Sequence, residues 1–337
     1  IEFDGIYRNS EVWINGHYLG KRPNGYISFH YDLTQYIKPG TNVLAVRVDN
    51  SQRPDSRWYA GAGIYRNVRL VTTNPVAVDH WGTFITTPHI TKKSAVVQMA
   101  VSVRNPGMSG ETIRVVTTIH NAEGKEVSKN TLTYISLNDS LTKLKQEFTV
   151  PQPVMWSIDN PYLYKAITKL YIGGQLLDQY TTPFGIRYFN FDIEKGFSLN
   201  GKPLKILGVC NHHDLGALGA AINVRAMERQ LEILKAMGCN AIRTAHNPPA
   251  PELLDLCDKM GFIVMVEAFD MWKKRKTPYD YHLDFDAWHK RDLEDMVKRD
   301  RNHPSVFMWS IGNEIREQFD STGIRPTRQL TAIVKAL

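Results

Sequence analysis

The sequence predicts a multidomain protein in which two antiparallel β-sandwiches precede the first half of a (β/α)8 barrel. The chain has 337 residues, which exceeds one ordinary domain and suits two or three. Up to about residue 185 it consists of short alternating runs separated by turn residues. Beyond that point strands alternate with helices. We therefore place the domains at 1–73, 74–185 and 186–337.

The first sandwich is predicted from a hairpin and the strands that follow it. Asn15-Gly16 separates the alternating runs at 11–14 and 17–19, and this dipeptide favours the type I′ turn. Further strands are expected at 26–31, 42–48 and 67–71.

The second sandwich is predicted from strands at 95–103, 113–120, 145–150 and 163–172, with turn clusters between them. Strands at this spacing suggest an immunoglobulin-like fold. The segment shows no catalytic constellation, so we expect it to act as a brace.

The half barrel is predicted from four strand-helix units after a second hairpin turn at Asn200-Gly201. Strands are expected at 205–209, 241–243, 263–267 and 306–311, the first of them buried, and helices at 223–237, 251–260 and 286–302. Polar residues crowd just past the strand ends, where a barrel builds its active site. Half a barrel leaves an open sheet, so we expect the chain to continue past Leu337.

Composition excludes several classes of function. The chain is 42% hydrophobic and 22% charged, and it has no apolar run long enough to cross a membrane. The net charge of +7 is scattered apart from the basic run at 273–276, which we interpret as a solvated loop, so no nucleic-acid partner is expected. Ile1 to Ser10 reads as the middle of a β domain and not as a signal peptide, so the start is expected to be truncated. Cys210, Cys239 and Cys257 lie in apolar segments and are expected to be buried thiols.

The run Trp-Ser-Ile-Gly-Asn-Glu at 309–314 places a carboxylic acid at the mouth of the fourth strand, beside an amide. Cleavage of a glycosidic bond needs a protonated acid beside the leaving oxygen, and a partly apolar pocket around Glu314 would favour that form. An Asn-Glu pair alone is usually structural, so the interpretation depends on the residues around it.

Those residues resemble glycoside hydrolase family 2. The resemblance includes Arg-Asp-Arg-Asn-His-Pro-Ser-Val at 299–306, Gly-Val-Cys-Asn-His-His-Asp at 208–214, Asn-Ala-Ile-Arg-Thr-Ala-His-Asn-Pro at 240–248, and Trp-Tyr-Ala-Gly-Ala-Gly-Ile-Tyr-Arg at 58–66. It covers essentially the whole chain. It implies a partial sugar-binding jelly roll, an immunoglobulin-like domain and a TIM barrel, in that order.

The resemblance also implies roles for individual residues. Glu314 resembles the general acid/base and Asn313 the residue that binds the sugar 2-hydroxyl. Arg243 resembles the arginine that pairs with the nucleophile, and His213 and His246 match positions that hold sugar hydroxyls. His212 and His213 are adjacent, and we expect His213 to be the one that faces the pocket.

Further substrate-contact candidates follow the same strand ends or the glycine-rich loop of the first sandwich: Asp214, Asn247, Glu267, Asp270, Trp272 and Arg57. Trp272 is either a core aromatic or a platform for a sugar ring. Arg57 is either a surface ion pair or a site residue, because this loop reaches the barrel mouth in the family.

The family's nucleophile is a second Glu at the end of strand seven, which we expect beyond Leu337, so the chain alone is expected to be inactive. Some bacterial galactosidases of the family bind Mg²⁺ through a Glu and a His just after the third strand. Here Asp270-Met271-Trp272 occupies that place, and the missing His argues against a bound metal. We expect no cofactor.

The loop at 211–219 and the residues at 57–59 are most similar to those of galactosidases from gut bacteria. The resemblance therefore implies a retaining enzyme that hydrolyses terminal non-reducing β-D-galactosides of oligosaccharides or glycoconjugates. The alternatives are a β-glucuronidase, a β-mannosidase, or a non-catalytic carbohydrate-binding protein. Relatives that degrade polysaccharides are commonly exported, which favours a periplasmic or extracellular location, and a homo-oligomer is compatible with the sequence.

Overall fold

A computed structural model describes residues 1–107, 109–137 and 141–337. Its first unit is built from short strands: β1 (Glu2–Phe3), β2 (Ile6–Tyr7), β3 (Ser10–Ile14), β4 (His17–Arg22), β5 (Phe29–His30), β6 (Leu44–Arg47), β7 (Gly63–Ile64) and β8 (Val68–Arg69). They pair in the orders β5-β1-β8, β4-β3-β6 and β2-β7. The hairpin at Asn15-Gly16 is confirmed, with φ angles of 51° and 85° that fit a type I′ turn. The strands predicted at 26–31, 42–48 and 67–71 are shorter than expected.

The second unit is the immunoglobulin-like sandwich that the spacing predicts. It contains β9 (Ala77–Ile90), β10 (Ser94–Arg104), β11 (Thr112–His120), β12 (Glu126–Ile135), β13 (Leu141–Pro151), β14 (Tyr164–Ile172) and β15 (Gln175–Phe184). One sheet has the order β13-β10-β9 and the other β12-β11-β14-β15. Every second residue of β10 is buried in the shared core, from Ala95 to Val103, as strand geometry requires.

The third unit begins with the hairpin strands β16 (Phe189–Asp192), β17 (Gly196–Leu199) and β18 (Lys202–Pro203). Phe197 and Leu199 pack against Ala241 and Ile263, the first residues of two barrel strands, so the hairpin lies at their amino ends. The parallel sheet follows in the order β19 (Gly208–Asn211), β20 (Ala241–Thr244), β21 (Ile263–Glu267) and β22 (Val306–Ser310). This is half of a barrel sheet, as predicted.

Four α-helices accompany this sheet in the described part of the chain: α1 (Val224–Ala236), α2 (Pro251–Met260), α3 (His282–Asp300) and α4 (Ile324–Lys335). Short 3-10 helices lie at Gly216–Leu218, Arg316–Phe319 and Ser321–Gly323. Asn223 caps α1 by accepting a hydrogen bond from the backbone amide of Ala226, as the sequence predicts. Gly261 ends α2 at a φ of 76°, where a Cβ would overlap the carbonyl oxygen of Ile158. None of the helices described is long and apolar enough to cross a membrane.

Two expectations about the first barrel strand are wrong. The strand was predicted to be buried over 205–209, but β19 begins at Gly208 and residues 205–208 are exposed. The reason is its position at the edge of the four-stranded sheet. Cys210 in this strand is exposed and Cys239 is half-buried, so the prediction of buried thiols holds for Cys257 alone.

A buried ion pair fixes the first sandwich on the barrel. Arg22 is fully buried, and its Nη2 lies 2.9 Å from an Asp292 carboxylate oxygen and 2.8 Å from one of Asp295, both in α3. Its guanidinium also lies over the ring of Trp288. Burial raises the pKa of Asp292 to about 6, and the charge of Arg22 acts in the opposite direction. Asp292 therefore depends on Arg22 for its charged form.

The second sandwich contacts the barrel through the segment that precedes β22. Asn302 accepts a hydrogen bond from the Ile85 amide at 2.9 Å and donates one to the Thr83 carbonyl at 3.0 Å. His303 bonds Asp258 at 2.6 Å just before the fourth strand begins. Both sandwiches are therefore docked on the barrel through side-chain contacts.

We expect Arg22→Ala to lower the free energy of unfolding by about 3–5 kcal/mol, because Asp292 would be left buried without its cation. The matched control is Arg47→Ala, because the ion pair of Arg47 with Glu11 is exposed and its loss should cost no more than about 1 kcal/mol. Urea denaturation of both variants measures the difference. Equal losses would contradict the role of Arg22.

Candidate active site

The carboxyl ends of the four parallel strands bring polar side chains to one edge of the sheet, as the sequence predicts. Glu267 ends β21, Asp270 follows it, and Asn313 and Glu314 follow β22. Arg57 reaches this cluster from the first sandwich.

Glu267 is a fully buried carboxylate whose oxygens are already bonded. Arg243 donates to Oε2 through Nε at 3.0 Å and Nη2 at 2.7 Å, and the Ser310 hydroxyl donates to the same oxygen at 2.6 Å. His246 Nδ1 bonds Oε1 at 2.7 Å. The family resemblance implies that Arg243 pairs with the nucleophile. In the described residues the carboxylate that Arg243 contacts is Glu267. Glu267 therefore orients Arg243 and His246.

Asp270 is a second buried carboxylate, and it gathers donors from separate parts of the chain. Its Oδ1 accepts from Arg57 Nη2 at 2.8 Å, Lys276 Nζ at 2.9 Å and Asn313 Nδ2 at 2.8 Å. Burial acts to raise the pKa of Asp270, but the hydrogen bonds from Arg57, Asn313 and Lys276 outweigh it and hold that pKa below its usual value. Asp270 is thus ionised at neutral pH.

Asn313 is buried, and both ends of its amide are oriented by neighbours. Its Oδ1 accepts from Arg243 Nη2 at 2.7 Å, its Nδ2 donates to Asp270, and its backbone amide donates to the Phe269 carbonyl at 2.9 Å. An amide group has two hydrogens and two lone pairs, so one of each stays available for a ligand. The arrangement suits the predicted contact with a sugar hydroxyl.

Glu314 extends from this fixed framework into the mouth. Its side chain is 67% exposed, and Arg57 Nη1 and Nη2 each lie 3.2 Å from its Oε2. Lys276 Nζ lies 3.9 Å from the same oxygen and donates to the backbone carbonyl of Asn313 at 2.8 Å. Trp272, Ile311 and Ile315 line the same cavity as Glu314, so the partly apolar surroundings that the sequence predicts are present together with these two cations. The φ of 43° at Glu314 is uncommon for a residue with a side chain.

The two adjacent histidines are placed in the opposite way to the prediction. His213 lies edge-on to Tyr26 and Tyr65, with ring centroids 5.1 and 5.9 Å away, and burial followed by the charge of Arg66 lowers its pKa to about 4. His212 instead lies beside Trp58 and His246, at 5.2 and 5.4 Å. Successive side chains of an extended chain point to opposite sides, so only His212 joins the cluster.

Three other candidates occupy different surroundings. Trp272 is buried, packs near Phe285 and donates from Nε1 to the Ile311 carbonyl at 2.7 Å, so the structure supports the core aromatic among its two predicted roles. Asn247 is buried and lines a small cavity between sandwich and barrel. Asp214 is half-buried with its charge close to His212.

Sequence reasoning missed Lys276. It assigned the run at 273–276 to a solvated loop, and Lys273 is indeed 52% exposed, but the Lys276 side chain is only 6% exposed. The one signal was its place in the loop after β21. Ser310 was missed as a contact in the same way, because its partner Glu267 is distant in sequence.

Within the described ranges, no three His, Cys, Asp or Glu side chains gather in a way that could hold a metal ion. The carboxylate of Asp270 is bonded by Arg57 and Lys276, which supply positive charge at this position. The absence of a metal requirement stays a prediction.

Family comparisons agree with this geometry along nearly the whole chain. Residues 1–74 match the model for the sugar binding domain of glycosyl hydrolases family 2, 78–187 match the model named glycosyl hydrolases family 2, and 192–336 match the TIM barrel domain of that family. The chain belongs to glycosyl hydrolase family 2. The three matches follow one another in the predicted order of domains.

Individual relatives are longer than this chain. It is 58% identical to the beta-galactosidase BoGH2A of Bacteroides ovatus over 320 residues, covering 95% of this chain and 38% of that protein. It is 43% identical to a putative beta-glucuronidase of Formosa agariphila, covering 93% of this chain and 30% of that protein. The chain thus spans about two fifths or less of these two relatives.

Solved structures show the same relationship. A crystal structure of a family 2 member from Bacteroides cellulosilyticus superposes with a TM-score of 0.96 at 42% identity, covering 100% of this chain and 43% of that one. The Bacteroides uniformis beta-glucuronidase superposes with a TM-score of 0.87 at 28% identity, covering 99% and 42% respectively.

We expect Asp270→Asn to lower the free energy of unfolding at pH 7 by about 2 kcal/mol, because the buried Lys276 would keep only the exposed carboxylate of Glu314, 3.9 Å away, as a counter-charge. The folded-state pKa of Asp270 is depressed, so its contribution is present above about pH 4 and is lost as the pH falls through the lower folded value. The free energies of unfolding of Asp270→Asn and of the wild type should therefore approach each other below about pH 4.

Urea denaturation between pH 7 and pH 3 measures this difference. Asp286→Asn is the matched control, because Asp286 and its partner Lys273 are both exposed, and it should cost less than about 1 kcal/mol. A pH-independent loss for Asp270→Asn would contradict the assignment of its charge.

Proposed function

We propose that this chain carries the acid/base side of a retaining active site that hydrolyses terminal non-reducing β-D-galactosides, with Glu314 as the general acid/base. The observation that carries the proposal is the position of Glu314. It follows the fourth parallel strand, extends into the mouth, and is held by Arg57 and Lys276 beside the fixed amide of Asn313.

The proposed reaction has two steps. In the first, Glu314 gives its proton to the glycosidic oxygen as the bond to the anomeric carbon breaks and a carboxylate nucleophile bonds to that carbon. In the second, Glu314 as carboxylate takes a proton from water, which attacks the same carbon and releases the nucleophile. We propose that the nucleophile is a Glu outside these 337 residues, within about 5 Å of Glu314 in the complete protein. The greater length of the relatives supports this.

Neighbouring residues suit the binding of a sugar ring. Asn313 has one amide hydrogen and one lone pair free for the 2-hydroxyl, a contact that strengthens as positive charge develops in the transition state. The ring centroids of Trp58, His212 and His246 lie 5.2 to 5.6 Å from one another, and together these rings offer an aromatic surface that a sugar ring could contact. Because burial and the nearby His246 lower the pKa of His212, its ring is neutral at pH 7 and can accept or donate a hydrogen bond.

The galactoside preference rests on the beta-galactosidase name of the 58% identical relative. A β-glucuronidase is the second candidate, because other relatives carry that name and because Arg57 and Lys276 are cations that a sugar carboxylate could contact. Turnover of aryl β-D-galactosides, glucuronides and mannosides by the full-length protein would distinguish these enzymes. Since the proposed substrates are oligosaccharides or glycoconjugates, we also propose a periplasmic or extracellular location, which cell fractionation tests.

In the full-length protein, Glu314→Gln should reduce kcat/KM for lactose, a poor leaving group, by about a thousandfold or more. On dinitrophenyl β-D-galactoside the rate of the first chemical step should fall far less, because dinitrophenolate departs without protonation. Steady-state and single-turnover kinetics on both substrates make the comparison.

Glu228→Gln on the exposed face of α1 is the matched control and should leave both activities unchanged. The 337-residue chain alone should be inert, because its proposed partner carboxylate is outside it. Equal losses on both substrates would remove Glu314 from the acid role, and turnover by the chain alone would overturn the proposed split of the catalytic pair.

We further propose that the enzyme works without a divalent metal, because Arg57 and Lys276 already bring two positive charges to Asp270 and Glu314. Dialysis of the full-length protein against EDTA should therefore leave kcat/KM within about twofold of the untreated value. A larger loss that added Mg²⁺ restores would contradict this proposal.

A further inference from the structure

Arg57 belongs to the first sandwich, yet it contacts two carboxylates of the barrel. Its Nη2 lies 2.8 Å from Asp270 Oδ1, and its Nη1 and Nη2 each lie 3.2 Å from Glu314 Oε2. The two partners differ sharply in burial, since the Asp270 side chain is 3% exposed and that of Glu314 is 67% exposed. Arg57 therefore has one fixed partner and one partner that faces the substrate.

The fixed partner holds the guanidinium in place. Asp270 is itself bonded by Lys276 and by Asn313, which come from the loop after β21 and from the end of β22. Arg57 Nε makes a longer contact to the second oxygen of Asp270 at 3.4 Å, so the guanidinium is bound through two of its nitrogens. A group held in this way needs little reorganisation when charge appears beside it.

Negative charge develops beside the Arg57 guanidinium in the first step of the proposed reaction. As Glu314 gives its proton to the leaving oxygen, negative charge develops on its carboxylate. The nearest cation in the described part of the chain is Arg57 at 3.2 Å, and Lys276 is farther away at 3.9 Å. A preorganised cation at that distance stabilises the developing charge more in the transition state than in the ground state.

We propose that Arg57 is a positioning residue, supplied by the sandwich, that acts through Glu314 to assist departure of the leaving group. The inference rests on the proposed function of Glu314. It makes the docked sandwich a working part of the active site, because a barrel that lacks this loop would keep Glu314 and Asn313 but would lose the cation nearest the acid.

The test compares Arg57→Met, Arg57→Lys and Arg53→Met in the full-length protein. Arg53 is an exposed arginine of the same loop, and its variant controls for the loss of one positive charge from that loop. Each variant is assayed on lactose and on dinitrophenyl β-D-galactoside, and its thermal stability is recorded alongside.

For Arg57→Met we expect kcat/KM on lactose to fall by about 10- to 100-fold, while the first step on the activated substrate changes by less than about threefold. Arg57→Lys should restore part of the lactose activity because it keeps the charge, and Arg53→Met should match the wild type. Equal losses of Arg57→Met on both substrates, or no loss on either, would overturn the inference.

Failure of the inference is distinguishable from failure of the proposed function. The proposed acid role of Glu314 is wrong if the wild type cleaves neither substrate, or if the activity loss of Glu314→Gln does not depend on the leaving group. In either case the inference about Arg57 is wrong as well. If Glu314→Gln shows that dependence and Arg57→Met does not, the proposed function stands and the inference about Arg57 alone is wrong.

Discussion

The buried carboxylate of Asp270 is the group around which the site is organised. A buried charge without hydrogen-bond partners destabilises the folded state. Asp270 accepts hydrogen bonds from Arg57, Lys276 and Asn313, which offset the free energy of burying its charge. These donors belong to the sandwich, to the loop after β21 and to the end of β22. Satisfying one carboxylate therefore fixes three segments relative to each other, and Glu314 takes its place as the residue that follows Asn313.

Docking of the first sandwich is the condition for this arrangement, and buried arginines provide it. Arg22 pairs with Asp292 in α3, while the buried guanidinium of Arg66 donates to the carbonyls of Pro248 and Pro249 just before α2. Burial lowers the pKa of Arg66, and its hydrogen bonds to the carbonyls satisfy the donors of this buried guanidinium. The two arginines contact two neighbouring parts of the barrel, α3 and the segment before α2, which are themselves joined by the hydrogen bond from Arg299 to the Pro249 carbonyl. The loop that carries Arg57 lies in the same sandwich.

The sequence predicted those features that depend on local signals. The turns at Asn15-Gly16 and Asn200-Gly201, the cap at Asn223 and the bounds of α2 and β21 follow from residues within a few positions of each other. Strands β9, β12 and β15 were not predicted. Each pairs with a strand next to it in sequence but lies at the edge of its sheet, where exposed positions weaken the apolar alternation. Side chains at the site were missed because their contacts are with residues distant in sequence. Neither the direction of His212 and His213 nor the burial of Lys276 and Trp272 is visible without the contacts of the folded chain.

The cations beside Glu314 change how its proposed double role can be understood. The sequence-based expectation relied on an apolar pocket to keep the acid protonated, but Arg57 and Lys276 suit the carboxylate that the second step needs. In a retaining mechanism the other carboxylate is negative before the first step and is neutral once it has bonded to the sugar. The charge near Glu314 therefore changes by one unit between the steps, while the cations of Arg57 and Lys276 stay constant. A fixed cationic background with one variable anion can favour the proton on Glu314 in the first step and its absence in the second, which an apolar pocket alone could not do.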